Sequence, residues 1–586
     1  MRKMASTTTK IVWFRRDLRL HDHPALLHAS GIGVPGPSPA SLVPVYCLYA
    51  PTRTRCGAVR WRFLLESLQA LDGSLRTLGS RLLVVRGRPE TALPLLARAF
   101  GASQVVAQAS PEPHALERDR RVADALATAA GCDFLALEGR TLFTVSDLVA
   151  AAAAQGGARD RKHALPVTMT TFARMIARLT VPEPLAAPES VPPLVAGGSD
   201  QNTEGAVAEL VRRLEASTDP ATVRGLGSAT GFLVPHWETG PEGTWSIPDL
   251  GVVVRDAHLP GGHEPLHPGG EAVALQRMNA YLADAKRVAE FEKPKTSPTM
   301  LPPNASTTIL SPYIALGCLS PRLFYARIVA IYRTAKKHTQ PPTSLLAQLY
   351  WREFFMAHGA TSPNFGVADG NPLCVPNVGW KCGPGTLPAT SPDDYAALSA
   401  WRAGTTGFPW IDALMVQLRR DGWVHHLSRH SLACFLTRGD LYVSWERGAE
   451  VFEEFLVDHD WALNRGNWMW LSGTSALFTS YWRIYSPVKW GQSWDPKGLL
   501  IKAMLPDLAD LPAAYIYEPW RAPKRLIPGS YAFSPIVDHA VVSKANLAAL
   551  KSVFADARER ELDPDNGVGD NDKEVGHGHR DRSVAK

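Results

Sequence analysis

The first 150 residues alternate between two hydrophobic periods, and this limits the fold more than any other feature of the chain. Short apolar runs rich in β-formers occur at Lys10–Phe14, Ser41–Tyr49, Arg81–Arg86, Ser103–Gln108 and Cys132–Leu137. Between them, apolar residues recur at helical spacing over Ala58–Leu78, Glu90–Phe100 and Pro113–Ala130. Strands alternating with helices of this length make βαβ units and a parallel sheet. The expectation is an α/β domain with a doubly wound sheet over residues 10–150. Gly31, Gly33 and Gly36 spell GxGxxG inside it, but Pro35, Pro37 and Pro39 surround them and no helix opens there. They read as a Pro/Gly loop, because a phosphate-binding turn needs strand, turn and then helix.

Residues 151–270 read as a linker, rich in Pro, Gly, Ser and Ala from about 181 onward, with a short helix at Val211–Glu215. From Glu271 the texture changes. Ala272–Phe291, Pro321–Ala335, Leu345–His358, Trp410–Gly422, His430–Leu436 and Glu446–Asp458 carry apolar residues at helical spacing, so 271–552 reads as a large helical domain. Residues 553–586 are polar and charged, with Gly-rich Asp563–Asp570, and read as a disordered tail. No run of about 18 apolar residues marks a membrane span, and Met1–Lys10 has no apolar core of a secretory signal. Seven cysteines without a CxxC pair or zinc spacing suit a reducing compartment. Lys+Arg minus Asp+Glu is 62 − 56 = +6, which permits a nucleic-acid partner without requiring one.

The densest chemistry lies in Gly407–Trp470. His425, His426 and His430 fall in one nine-residue stretch, and His426 and His430, four apart, share a helix face. Three readings stand side by side. A zinc pair would want an acid nearby, as in HExxH, and the stretch has none. A packed or surface pair is the bland reading. A proton-transfer pair is the sharper one, because imidazole titrates near neutrality. Asp458 and Asp460 end a helical pattern, and Arg429 is a plausible cation for Asp458 because a buried carboxylate needs one. They could equally be a hydrolytic carboxylate pair or an acidic helix end. Of the 17 tryptophans most lie beyond residue 350; Trp380, Trp423, Trp445, Trp468 and Trp470 are either core packing or an electron relay.

Several ordered segments resemble the photolyase/cryptochrome family. Trp13–Asp22 (WFRRDLRLHD) resembles its opening strand and turn. Thr307–Tyr313 with Gly317–Ser320 looks like its flavin-phosphate segment, and Trp351–Phe355 like its substrate-pocket helix. Thr406–Ala413 and Arg438–Leu441 are further signatures, and the likeness spans about 10–180 and 271–550. The histidines at 425, 426 and 430 and the run Asp458–Asn464 are similar to the animal-type cryptochrome and (6-4) photolyase clade.

The resemblance implies an α/β domain joined to a helical domain that holds FAD in a U-shape, with a second antenna chromophore of deazaflavin or folate type. It assigns Thr307, Thr308, Leu310 and Ser311 to the flavin pyrophosphate. Gln348, Arg352, Asp458 and Asp460 would face the cofactor, with Arg429 paired to Asp458, and Asn464 would face flavin N5. Trp468, Trp445 and Trp380 match the proximal, middle and distal relay members, and Tyr442 stands where the clade usually has a fourth tryptophan. Some algal animal-like cryptochromes resemble this arrangement. His426 and His430 match the pair used in (6-4) repair, and Trp351 and Trp470 the walls of the lesion pocket.

The implied activity is light-driven repair of (6-4) photoproducts in UV-damaged DNA. The alternative is a blue-light receptor that signals to a protein partner. A monomer is expected, with a nuclear location if the chain is eukaryotic, although Arg159–Lys162 is a weak import signal. Residues 197–243 and Cys382–Pro392 read as longer than the family pattern.

Overall fold

The computed structural model describes residues 8–49, 56–154 and 163–194, three short strands between 238 and 255, and 265–562 apart from gaps at 294, 301–304, 384–390, 478–479, 527–530 and 532–533. Arg159–Lys162, Val211–Glu215, Asp563–Asp570 and most of both expected insertions lie outside the described residues.

Five strands form a wholly parallel sheet: β1 (Thr9–Phe14), β2 (Ser41–Leu48), β3 (Leu83–Arg86), β4 (Ala102–Gln108) and β5 (Asp133–Leu137). The order β3-β2-β1-β4-β5 puts β1 at the centre, with Ile11 beside Val43 on one side and Val105 on the other. Helices Ala58–Thr77, Pro89–Phe100 and Pro113–Ala130 make the crossovers. The strands are apolar on both faces, as sheets covered by helices on both sides must be. The chain reverses its winding between β1 and β4, and such a switch point opens a crevice at the strand ends. A cavity of about 190 Å³ lies there, bordered by Trp13–Asp17 from β1 and Gln108–Ser110 from β4. Gly31, Gly33 and Gly36 lie in a loop after helix Pro24–Ala29, away from this crevice's lining.

The rest of the turn after β1 ties the two halves together. Arg19 donates to the carbonyls of Asp22 and Gly317 at 2.9 Å each. Asp22 receives Arg322 at 2.6 Å, and the backbone of Leu20 and His21 donates to Glu271. Gly317, Arg322 and Glu271 belong to the helical half, so the WFRRDLRLHD run is a clasp between the two halves. Gly317, at φ +83°, is the point of closest approach: a Cβ there would overlap the Arg16 carbonyl.

The helical half departs from expectation in four places. Ala272–Phe291 is two helices, Glu271–Leu282 and Ala285–Glu290, because Asp284 caps the second by accepting from Arg287 N at 2.9 Å. The helix expected at His430–Leu436 starts at His426, since His425 Nδ1 caps Leu427 N, and passes at Phe435–Gly439 into a π-helical turn. The stretch expected to be a linker contains the end of helix Val145–Ala154, the helix Met169–Ile176, which buries Met169, Phe172, Met175 and Ile176, and a three-stranded antiparallel sheet (Glu238–Thr239, Thr244–Ile247, Val252–Arg255). Finally, residues 553–562, expected in the tail, continue the helix His539–Leu562; Leu550 is fully buried, and Phe554 stacks on Tyr481 at 4.3 Å. All seven cysteines are free thiols.

Candidate functional site

A second cavity, of about 320 Å³, opens inside the helical half. Helix Leu345–Thr361 brings Gln348 and Arg352 to it, helix His426–Cys434 brings His426, Arg429 and His430, and helix Trp461–Ser472 brings Asn464 and Trp468. The segment before helix Ser311–Leu316 adds Thr307, Thr308, Ile309 and Ser311. Ile309 has φ +51°, which is strained for a β-branched residue and turns the backbone of this segment sharply at the cavity wall.

Lys293, Arg352 and Arg429 line the cavity with Asp458 and Asp460, and three histidines stand among them. Burial and the Arg429 guanidinium lower the Lys293 ammonium to about 8. Burial, Lys293 and Arg438 lower His430 to about 3. His426 is held well below the usual imidazole range by burial, Lys293 and its histidine neighbours. His426 Nε2, Trp468 Nε1 and Asp458 Oδ1 are buried without a hydrogen-bond partner. Arg429 donates to the other Asp458 oxygen at 2.8 Å, and Ser311 Oγ donates to the same oxygen at 2.8 Å. Three cations against two carboxylates, with unanswered donors and acceptors, leave room for an anionic, aromatic ligand.

Not every expected residue opens on this space. Leu310 is packed in the core, leaving its neighbours to line the wall. Asp460 borders the cavity, but its carboxylate is committed: Oδ1 caps Ala462 N and Leu463 N, and Oδ2 receives Arg140 at 2.6 Å. Arg352 is likewise tied to Glu353 at 2.8 Å and to the Arg140 carbonyl at 2.8 Å. Gln348 donates to Ser344 O at 3.2 Å. Asn464 donates to Ala449 O at 2.8 Å, so its amide oxygen is the end left for a ligand. Trp351 and Trp470 stand beside the cavity rather than on its lining: Trp470 meets His430 at 5.6 Å between ring centroids and Trp351 at 6.4 Å. Among the described residues no group of three or more His, Cys, Asp or Glu could hold a metal.

Two residues escaped the sequence reading. Lys293 sits in an irregular stretch with no periodic signal. Tyr485, 55 positions after His430, comes within 6.1 Å of its ring, a closeness that only the fold creates.

Of the residues expected as an electron relay, Trp468 alone reaches the cavity. Trp468 lines it, resting on helix Trp445–Phe455, whose first residue Trp445 is buried. Backbone bonds from Lys381 N to Tyr442 O and from Ser444 N to Lys381 O bring Trp380 alongside this helix, and Trp380 lies 4.8 Å from Tyr442. Gly448 is what lets Trp468 approach, since a Cβ there would collide with the indole. Gly448→Ala should cost about 2 kcal/mol through overpacking and displace Trp468. Thermal unfolding and the near-UV circular dichroism of the indoles would register both; an unchanged spectrum would refute the contact.

The pattern for the FAD binding domain of DNA photolyase matches residues 345–552, and that for DNA photolyase residues 10–189. The chain belongs to the photolyase/cryptochrome family. It is 38% identical over 590 residues to a (6-4) DNA photolyase of Oryza sativa subsp. japonica, covering 97% of this chain and 94% of that one. It is 37% identical over 549 residues to Cryptochrome-1 of Rattus norvegicus, covering 92% and 82%. The fold matches a solved cryptochrome of Synechocystis sp. PCC6803 with TM-score 0.70 and 25% identity, over 93% of this chain and 99% of that one. Among the described residues no helix is long and apolar enough to cross a membrane.

Proposed function

We propose that the protein repairs (6-4) photoproducts in UV-damaged DNA, driven by light absorbed by bound FAD. The reading rests on one observation: His426, His430, Asn464 and Trp468 open on a single cavity. Thr307, Thr308, Ser311, Lys293 and Arg429 would hold the pyrophosphate, and Asn464 and Trp468 would border the isoalloxazine. The cofactor supplies light absorption and one-electron transfer. The protein's own residues do the rest. Trp351 and Trp470 stack on the damaged bases after these leave the duplex. His426 donates a proton as the hydroxyl group returns to its original base, and His430 holds the imidazole in place. Exposed basic side chains bind the phosphates, a salt-sensitive contact. The cavity at the β1–β4 switch point, with Arg15, Arg16, Arg60 and Arg118 around Trp13 and Tyr46, suits an antenna chromophore of deazaflavin or folate type.

The test is repair of an oligonucleotide with one defined (6-4) photoproduct by photoreduced protein, under blue light and in the dark. Restored bases in the light alone support the reading. Photoreduction without repair would favour the second reading, a blue-light receptor acting through a signalling partner.

One observation speaks for that alternative: Tyr442 touches Trp380, and both share one buried apolar cluster with Leu550 of the last helix. Burial raises the Tyr442 phenol to about 12, and its hydroxyl donates to the Val378 carbonyl at 2.9 Å, a group that cannot take a proton. A terminal donor at Tyr442 would have to release that proton elsewhere, and Tyr442→Phe would then shorten the lifetime of the light-induced charge separation without lowering its initial yield, as read by transient absorption. Equal lifetimes in both proteins would exclude Tyr442 as a terminal donor.

A further inference from the structure

The helix that carries His426 opens on an uncommon cap. The first backbone donors of a helix are answered best by Ser, Thr, Asp or Asn. Here the answer is an imidazole: Leu427 N donates to His425 Nδ1 at 3.2 Å. A backbone N–H donates and never accepts, so Nδ1 holds a lone pair and the ring's one proton sits on Nε2. A second proton has no place on the ring unless the cap breaks. His425 is 2% exposed, and its Nε2 has no hydrogen-bond partner. Burial, then Lys293 and Arg429, lower it to about 3, in keeping with a neutral ring fixed in one tautomer.

That ring touches His426. Their centroids lie 4.2 Å apart with the planes at 41°, a closer contact than the 6.2 Å from His426 to His430. His426 and His430 line the 320 Å³ cavity and His425 does not, so its ring serves its neighbour rather than a ligand. Trp423 meets His425 edge-on at 6.4 Å and packs it in place. The groups that oppose a proton on His426 are Lys293, His425, His430 and Arg429. Also on the cavity lining are Asp458, answered by Arg429, Asp460, answered by Arg140, and Arg352 and His459. Of these, His425 opposes the proton while it is itself charged, and the cap keeps it uncharged. An Asn or Asp would cap Leu427 as well; what imidazole adds is a neutral ring against the proton donor.

We propose that His425 is a positioning residue for the proton on His426: the helix cap holds its imidazole neutral, and the ring braces His426 and favours its charged form. A neutral aromatic ring in contact with a cation stabilises it, whereas a second cation there would expel the proton. The inference rests on the reading of His426 as the proton donor in repair. Its two parts are separable in the protein. Asn at this position keeps a cap and removes the ring; Phe keeps a ring and removes the cap.

The experiment compares flavin-loaded wild type, His425→Asn and His425→Phe. Repair of one (6-4) lesion is measured against pH at saturating substrate. The titration of His426 is followed in the same proteins without DNA, by NMR of isotope-labelled histidine, its signal being the one missing from His426→Gln. Loss of the ring contact predicts a His426 titration about one pH unit lower in His425→Asn. Repair by that variant should then be about tenfold slower on the falling alkaline limb and unchanged on the acid side. His425→Phe should keep the wild-type titration and pH profile while unfolding at lower temperature, because its cap is gone. An unmoved titration and profile in His425→Asn would overturn the assignment. An equal move in both variants would also overturn it, since the cap and not the ring would be responsible. A wild type that repairs nothing in light removes the repair reading, and the NMR comparison still decides the role of His425. Intact repair with an unmoved His426 removes this inference alone.

Discussion

Replacing His426 with alanine lowers light-driven repair of a (6-4) photoproduct by at least about 100-fold, the scale set by loss of a positioned general acid. Flavin binding and photoreduction persist, because His426 lies outside the aromatic series from Trp468 to Tyr442. The measurement is product formation per flash on a single-lesion oligonucleotide, next to the photoreduction rate of the same preparation. Repair within a few-fold of wild type would remove His426 from the reaction. A pH dependence accompanies this. In the protein alone His426 is neutral near pH 7, because burial, then Lys293, His425 and His430 when charged, and Arg429, disfavour its charged form. On the proposed reading the cofactor's pyrophosphate, held at Lys293 and Arg429, would oppose those cations and raise the pKa of His426 in the loaded protein. A donor works only while protonated, so repair falls as pH rises through the pKa of loaded His426. A flat profile from mildly acidic to mildly basic pH contradicts the assignment.

The second large effect is on stability. Arg140 joins Glu112 at 3.2 Å to Asp460 at 2.6 Å, and all three are buried where the two halves meet. Arg140→Ala leaves two buried carboxylates without their main cation. A loss of roughly 3–5 kcal/mol is expected, the usual cost of breaking a buried pair from one side, measured by chemical denaturation. A loss below about 1 kcal/mol would show that Arg16, 3.5 Å from Asp460, carries the network instead. The effect has a pH signature. Burial raises the Glu112 carboxyl, but Arg140 and Arg16 overcome this and bring it down to about 2. A depressed carboxylate stabilises the fold above its unfolded value of about 4.5, and that contribution disappears as pH falls toward 2. The difference between wild type and Arg140→Ala therefore narrows across this acid window.

How far the sequence could be read follows from range. The parallel sheet was legible because the switch from period two to period 3.6 is local, and β1 to β5 stand within a residue or two of the runs that suggested them. The pairing of Arg429 with Asp458, argued from a buried acid's need for a cation, stands at 2.8 Å. The last helix beyond residue 553 was hidden because few apolar residues there, Val553 and Phe554 among them, mark a packed face amid charges. Asp460 was read as a ligand-facing acid and it borders the cavity, but its bond to Arg140, 320 positions away, was hidden because no periodicity reports such a contact. Trp482 and Tyr485 are three residues apart, yet one faces solvent and the other a histidine, a distinction made by the turn that Arg438 fastens at the Arg483 carbonyl.

The clasp after β1 has a consequence for anyone recombining these proteins. Arg19, Asp22 and the backbone of His21 in one half are answered by Gly317, Arg322 and Glu271 in the other. A chimera cut between the halves must therefore inherit both sides of the seam from one parent. If Gly317 is replaced by any larger residue, the seam cannot close over Arg16, whatever the quality of either half. Two modules that look separable along the chain thus behave as a single heritable unit, and breeding variants by shuffling should succeed inside each half and fail across their junction.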